Sequence, residues 1–241
     1  RRKFMDSIIS TYDKNYLQNI ITHGKLIKQR NKILKYFNKS AKIDMDSILV
    51  YNDQIVKLSK PIHECRKNFV SEFVPLVIDK YNNISGKNEK VTLKYKSDLN
   101  ENEIGDLLEK SFQKDMILQF TSCGIHKDDL IFRIDNNSIK RFGSQGQQKS
   151  FLISLRFAEF EFLKNSNDLA PILLMDDIFD KLDIQRVKNI VDLVNSSEFG
   201  QLFVSDTDKT RIEKVIRSLK NSSEIFEIWR ETMKQIALRK F

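Results

Sequence analysis

The sequence predicts an α/β protein in which a long helical hairpin leads into alternating strands and helices. Three observations carry this. Apolar residues keep helical spacing over most of residues 4–81. Glycine and proline are scarce, 7 and 3 in 241 residues, which disfavours a loop-rich or small-stranded all-β protein. After residue 120, short apolar runs alternate with helical stretches, and one run ends in two acids, the texture of a parallel sheet.

Between residues 4 and 37 the apolar positions are Phe4, Ile8, Tyr12, Tyr16, Ile20, Ile27, Leu34 and Phe37. Steps of three, four and seven predict one amphipathic helix, or two in line near Gly24. A second stretch, 46–81, puts Ile48, Tyr51, Ile55, Leu58, Ile62 and Phe69 on one face. Pro61 and Pro75 are expected to kink or break it. A polar turn at 38–44 would join the two as an antiparallel arm. Asn82-Asn83-Ile84-Ser85-Gly86 reads as a stop. Residues 91–95 alternate like a strand, and 101–118 return to helical spacing. Residues 130–134 and 139–142 flank Asp135-Asn136-Asn137-Ser138 as a hairpin. A helix follows from the Gly143–Gln148 stretch to Lys164, then a buried strand at 171–177, a helix at 184–194 and a second buried strand at 201–205. The expected division is a helical arm and connector over 1–119, with the lobe of strand 91–95 left open, and a head-like part over 120–241.

Charge is unevenly spread. Lys and Arg number 41 against 33 Asp and Glu, a net of +8. Residues 1–97 hold 20 basic and 9 acidic residues, whereas 98–241 hold 21 and 24. A basic first part predicts contact with a polyanion. Its candidate contacts are Arg1, Arg2, Lys3, Lys25, Lys28, Arg30, Lys32 and Lys35. The alternative is a solvated helical face, and for Arg30 a packing or helix-terminus role is favoured. The aromatics Tyr12, Tyr16, Tyr36 and Phe37 stand at helical spacing and are read as core before single-strand stackers.

Two cysteines, Cys65 and Cys123, with no CxxC pair exclude a disulfide framework. No apolar run approaches the ~20 residues of a membrane span, and no secretory signal opens the chain. A reduced, cytoplasmic setting is expected. The chain starts at Arg1 and not at Met, so it is expected to be part of a longer protein. His126 has no companions at ligand spacing and is read as a structural or nucleotide-proximal residue; no metal besides Mg²⁺ is expected.

Ile172-Leu173-Leu174-Met175-Asp176-Asp177 is the stretch that carries chemistry. A strand that fixes its backbone delivers the acids at its carboxyl end, where α/β sheets bind ligands. The first carboxylate, Asp176, could hold Mg²⁺ through water; the second, Asp177, could polarise the water that attacks a γ-phosphate. Ser144-Gln145-Gly146-Gln147 opens a helix: serine caps it, Gly146 admits close approach, and the helix N-terminus attracts phosphate. An ordinary capped helix is the alternative.

The order Ser144-Gln145-Gly146-Gln147, then Asp176-Asp177, then Phe179-Asp180-Lys181-Leu182-Asp183, then Phe203-Val204-Ser205-Asp206-Thr207 resembles the C-terminal half of an ATP-binding-cassette head of the SMC type. The wording of three motifs is similar to the RecF family of bacterial recombinational repair. They are Phe142-Gly143-Ser144-Gln145-Gly146-Gln147-Gln148-Lys149-Ser150, Gly124-Ile125-His126-Lys127-Asp128-Asp129-Leu130 and Gln29-Arg30-Asn31-Lys32-Ile33-Leu34. Ile125 stands where that family has proline, and Ser205-Asp206-Thr207 offers no switch histidine. The arm is too short for an SMC coiled coil, and no acidic nuclease cluster follows Thr207. No G-x-x-x-x-G-K-[ST] phosphate loop occurs in the sequence.

The resemblance implies a fold: the C-terminal half of an ABC/SMC-type head with an inserted helical-hairpin arm. It implies ATP and Mg²⁺ as cofactors, Asp176 and Asp177 as Walker B acids with Asp177 catalytic, and Asp183 as the D-loop acid. It implies Asp206 and Thr207 as the switch, and Ser144, Gln145, Gly146 and Gln147 as a signature acting on a partner's nucleotide. The implied protein is an ATP-dependent homodimer and a weak ATPase, its fragment alone inactive. It binds DNA at single-strand gaps and junctions and serves recombination, replication repair and the SOS response with RecO and RecR. The competing expectation is a non-catalytic helical scaffold that binds mediator proteins without nucleotide.

Overall fold

The computed structural model describes residues 1–37, 45–166, 171–196, 201–218, 224–228 and 233–236. The chain forms two compact units that interleave along the sequence. The first comprises Arg1–Pro75 and Thr92–Arg133, the second Leu76–Val91 and Ile134–Phe241. A cut at 119/120 therefore does not follow the compact units. A long helix passes out of the first unit at Pro75, and the chain returns to that unit at Thr92.

The first unit opens with α1 (Arg2–Tyr12) and α2 (Lys14–Phe37). The break falls at Asp13, not Gly24. Asp13 is extended (φ −118°, ψ 97°), and its carboxylate accepts the Tyr16 N–H at 2.8 Å, a side-chain cap that starts α2. Gly24 lies within α2 and needs no special conformation. α3 (Met45–Ser85) runs through Pro61 and Pro75 as one helix assignment, so neither proline ends it. The turn expected at 38–44 lies outside the described residues.

α2 and α3 pack antiparallel in a constant register. Leu34 meets Ile48, Arg30 meets Asn52, Ile27 clusters with Ile55, and Tyr16 meets Arg66. Each step back along α2 is matched by a step forward along α3. Further up the arm, Phe69 and Phe73 stack at 4.8 Å between ring centroids. β1 (Val91–Lys96), α4 (Ile104–Lys110), α5 (Phe112–Leu118) and β2 (Asp129–Ile134) complete the unit, β1 lying beside β2. Ile104, Leu108 and Cys123 close over Leu26, Ile27 and Ile55.

In the second unit β3 is only Asn137–Ser138, and α6 (Ile139–Phe142) is a short helix where a strand was expected. The reason is a tighter turn. Asp135 and Asn136 both take positive φ (45° and 67°), as the two central positions of a type I′ turn require. Pairing is used up at Asn137–Ser138 and the chain coils away. α7 (Gln145–Ser166) buries Ile153, Phe157 and Phe160 against Leu173 and Met175 of β4 (Ile172–Asp176). Ile190 and Leu193 of α8 (Ile184–Ser196) join the same core. β5 (Gln201–Ser205) pairs parallel with β4, Ile172 opposite Gln201 and Asp176 opposite Ser205. α9 (Lys209–Ser218) follows, then an antiparallel pair, β6 (Ile225–Ile228) and β7 (Met233–Ile236).

The strands are not buried on both faces as the apolar runs predict. Leu173 and Met175 face the core, but Ile172, Leu174 and Phe203 are 60%, 72% and 56% exposed. α7 and α8 cover only one side of the β4–β5 pair.

Candidate functional site

The second unit gathers the acids and the capped helix. Ser144 and Gln147 form a reciprocal cap. The Ser144 hydroxyl accepts the Gln147 N–H at 3.2 Å, and the Gln147 side-chain carbonyl accepts the Ser144 N–H at 2.8 Å. The first-turn N–H groups of Gln145 and Gly146 are of the kind a helix start leaves over for an anion. A Cβ on Gly146 would come within 3.3 Å of the Lys181 carbonyl, so the helix start lies directly on the loop that follows β4.

That loop carries the acids. Asp176 ends β4 and Asp177 follows it, both exposed. Asp177 takes φ 49°, a left-handed backbone that Asp tolerates better than most residues. It is pinned from two sides: its N–H donates to the Ser205 carbonyl at 3.0 Å, and Lys149 of α7 donates its ammonium to the Asp177 carbonyl. The main chain is thus fixed while the carboxylate faces solvent. The Ser205 hydroxyl donates to Asp176. Asp206 accepts the Asp208 N–H at 2.8 Å, forming a turn just ahead of α9, and Thr207 is exposed.

Asp183 caps α8, its carboxylate accepting the Arg186 N–H at 2.8 Å and the Arg186 Nε–H at 3.1 Å. Arg186 also reaches Ser150 of α7 at 2.9 Å and Glu89 at 2.8 Å. The same Glu89 oxygen accepts from the Gln147 amide at 3.0 Å, and Tyr81 donates to its other oxygen. Burial alone would raise the Glu89 carboxyl. Hydrogen bonds from Tyr81 and Gln147 and the charge of Arg186 outweigh it and hold the group below its usual range. Burial would likewise lower Arg186, and Glu89 reverses it.

Sequence reading missed Glu89, Arg186, Tyr81 and Lys149. Lys149 was within sight, one helical turn beyond Gln145. Glu89 and Arg186 are 97 residues apart, and spacing carries no sign of their pairing.

The expected site residues thus fall into two groups. Ser144, Gln145, Gly146, Gln147, Asp176, Asp177 and Asp183 are brought together around the start of α7, with Asp206 and Thr207 at the end of β5. The basic candidates belong to the first unit. There Lys25, Lys28, Lys32 and Lys35 are exposed on one face of α2, a stripe about 15 Å long at 1.5 Å per residue. Lys3 is exposed on α1. Arg1 is engaged with Asp129 and lies over the Phe132 ring, and Arg2 is 4.0 Å from Asp6.

Arg30 takes the packing role favoured for it and leaves the group of polyanion contacts. It is fully buried and donates to Asn52 at 2.8 Å, Asp115 at 2.7 Å and Thr121 at 2.8 Å, so no surface remains for a polyanion. Arg66 has the matching role further along α3, bound to Asp6, Tyr16, Asp128 and the Ile125 carbonyl. His126 bonds the Thr121 carbonyl at 3.0 Å and faces His23 at 6.2 Å between rings. Burial, then the charges of His126 and Arg66, push His23 down to about 3. Cys123 lies against Ser111 and Cys65 is 3.9 Å from Asp13; both thiols are free.

An oxygen-only pair of exposed acids fits Mg²⁺, which binds one or two carboxylates and completes its shell with water and phosphate. Among the described residues no cluster of three or more His, Cys, Asp and Glu could hold another metal ion, and no helix is long and apolar enough to cross a membrane.

No protein-family model matches the chain. It is 50% identical over 228 residues to the DNA replication and repair protein RecF of Flavobacterium johnsoniae, covering 95% of this chain and 64% of that one. It is 39% identical over 236 residues to RecF of Azobacteroides pseudotrichonymphae, covering 98% and 64%. Among solved structures it matches a recombination mediator RecF–ATP structure of the RecFOR pathway, with TM-score 0.79, 24% identity, and 98% and 62% of the two chains covered. It also matches the Smc head domain of Pyrococcus furiosus, with TM-score 0.54, 16% identity, and 99% and 57% covered. The fold is accordingly that of the part of the RecF and Smc head structures the chain covers, consistent with the C-terminal half of such a head, and the chain spans about 64% of the length of the curated relatives it matches.

Proposed function

From a chain that is RecF-like over nearly its whole length, we propose that the protein is a DNA replication and repair factor that closes into a dimer around ATP and Mg²⁺. The observation that carries this is one juxtaposition. Two exposed acids, Asp176 and Asp177, stand at the carboxyl end of a parallel strand, next to a serine-capped helix start that has phosphate-binding character.

In this reading Asp176 holds Mg²⁺ through water and Asp177 orients the attacking water. Ser144 can still donate its own hydroxyl proton while it accepts the Gln147 N–H. Together with the N–H groups of Gln145 and Gly146 it would meet the partner's γ-phosphate. Gln147 has a different role from the one expected of it: its amide is spent on Ser144 and Glu89, so it shapes the helix start. Asp183 stands next to that start and would report on both nucleotides. Bound MgATP supplies a phosphoanhydride whose hydrolysis can reopen the dimer.

DNA at single-strand gaps and junctions is the proposed substrate, with the lysine stripe of α2 as the phosphate-tracking surface and RecO- and RecR-type mediators as partners. The RecFOR setting of the structural match and the basic first part of the chain support this. The setting would be the cytoplasm, with the chromosome.

The test is light scattering of the full-length protein with and without MgATP. A monomer that dimerises only with MgATP, and a Ser144→Arg variant that binds nucleotide but stays monomeric, are the expected results. Full dimerisation by Ser144→Arg would overturn the signature assignment. Mediator binding with no nucleotide response would replace it with the scaffold reading.

A further inference from the structure

Arg186 spans three elements with one planar group. Its Nε takes Asp183, one Nη takes Ser150 in the second turn of α7, and the other takes Glu89 in the segment after α3. Glu89 passes the connection on to Gln147 at the start of α7 and is itself held by Tyr81. The side chains of Arg186 and Glu89 are only 14% and 16% exposed, so the pair is shielded from salt and water. Neither residue carries an exposed charge suited to touching a nucleotide. Yet, Tyr81 of α3 apart, every neighbour they bind belongs to the two helix starts that bear Ser144 and Asp183.

We propose that the Glu89–Arg186 pair is a positioning device that makes the α7 start and the α8 start move as one body. It rests on the reading above, in which Ser144 faces the partner's nucleotide and Asp183 lies between two nucleotides. In a two-fold dimer such a link means that engagement of one site sets the geometry of the other. A guanidinium suits this because its donors leave in fixed, divergent directions; an ammonium on a flexible stem cannot hold three acceptors at set angles. The close approach of Gly146 to Lys181 and the Lys149–Asp177 contact brace the α7 start against the loop that leads into α8, so the link has little slack.

The experiment uses full-length protein carrying Glu89→Gln or Arg186→Lys. Hydrogen exchange is followed at the amides of Gln147–Lys149 and Val187–Lys188, and dimerisation by light scattering with MgATP. Both variants should speed exchange at both helix starts together by at least about fivefold. Both should weaken MgATP-dependent dimerisation about tenfold or more while nucleotide affinity of the monomer changes less than about threefold. Exchange that rises at α8 alone in Arg186→Lys, or wild-type dimerisation in Glu89→Gln, would overturn the proposal. If either variant fails to fold, Gln147→Ala cuts the link at its α7 end. It should then speed exchange at Val187–Lys188, which Gln147 does not bond, and unchanged exchange there would overturn the link. A wild type that ignores MgATP while exchange at the two starts still moves together would remove the dimer reading and leave the link standing.

Discussion

The two units handle charge in opposite ways. In the first, Arg30 and Arg66 lie in the apolar seam of a helical arm, at 0% and 2% exposure, and each is bound by a buried carboxylate and by further oxygen acceptors. In the second, Asp176 and Asp177 stand in solvent on a backbone pinned from behind. Burial against an opposite charge marks charges that hold a fold. Exposure on a fixed and unusual backbone marks charges free to act on something else. By this standard Arg30 and Asp128, in two of the three motifs that resemble RecF, are structural, whereas Lys32 and Lys127 of the same motifs are exposed. Arg30 and Asn31 clasp Thr121, and Asp128 receives Arg66 and Tyr95.

The sharpest way to break the contrast is to remove one charge from each unit. Arg66→Ala strands Asp128 in the interior and should cost about 3–5 kcal/mol, read as a fall in the denaturant midpoint. Asp177→Asn should change stability by less than about 0.5 kcal/mol. Comparable losses from the two would erase the distinction. The same Asp177→Asn change should lower ATP hydrolysis by the full-length protein about 10²-fold, with nucleotide binding retained. Undiminished turnover would move the catalytic role elsewhere.

Acid sharpens the contrast next. His23 is neutral in the folded first unit, with its pKa lowered from 6.5 to about 3. The unfolded chain therefore binds a proton that the folded chain refuses. Stability is complete above about pH 6.5 and is lost as pH falls towards 3, at about 1.4 kcal/mol per pH unit from this residue alone. Denaturant midpoints at pH 7 and pH 5 should differ accordingly, and His23→Leu should flatten the difference. The smallest effect is expected on the arm's outer face. Lys28→Gln should leave stability untouched and lower the salt dependence of DNA affinity by about one unit of slope. An unchanged slope would take the stripe out of the DNA surface.

Much of this was legible beforehand. The capped start of α7 and the strand that ends in Asp176-Asp177 follow from local rules, and the structure has both. The arm was also legible, since 3.6-residue spacing is a local property. What failed depended on partners. Leu174 and Phe203 read as buried, yet their face is exposed in this chain, which spans about 64% of the length of the relatives it matches; an apolar run does not say which part of a protein covers it. Residues 139–142 read as a strand because a two-residue turn at Asp135-Asn136 was taken for a four-residue one. The buried arginines did leave a trace. Arg66 sits in step with Ile55, Ile62, Phe69 and Phe73, and Arg30 with Ile27 and Leu34. A charge in register with an apolar stripe is the mark of an interior ion pair, though not of its distant partner.

The register of the arm also sets an order of events. Arg30 comes off the ribosome 85 residues ahead of Asp115 and 91 ahead of Thr121. At roughly 5–20 residues per second, that interval lasts about 4–17 s. The hairpin itself can zip early, because its contacts are local and its seam is apolar. Until residues 115–121 arrive, Asn52 of the same hairpin is the partner at hand for the guanidinium. Neutralisation of Arg30 therefore waits for the docking of α5 and the segment after it. A nascent chain halted just short of that point would display an arm with an unneutralised cation in its seam.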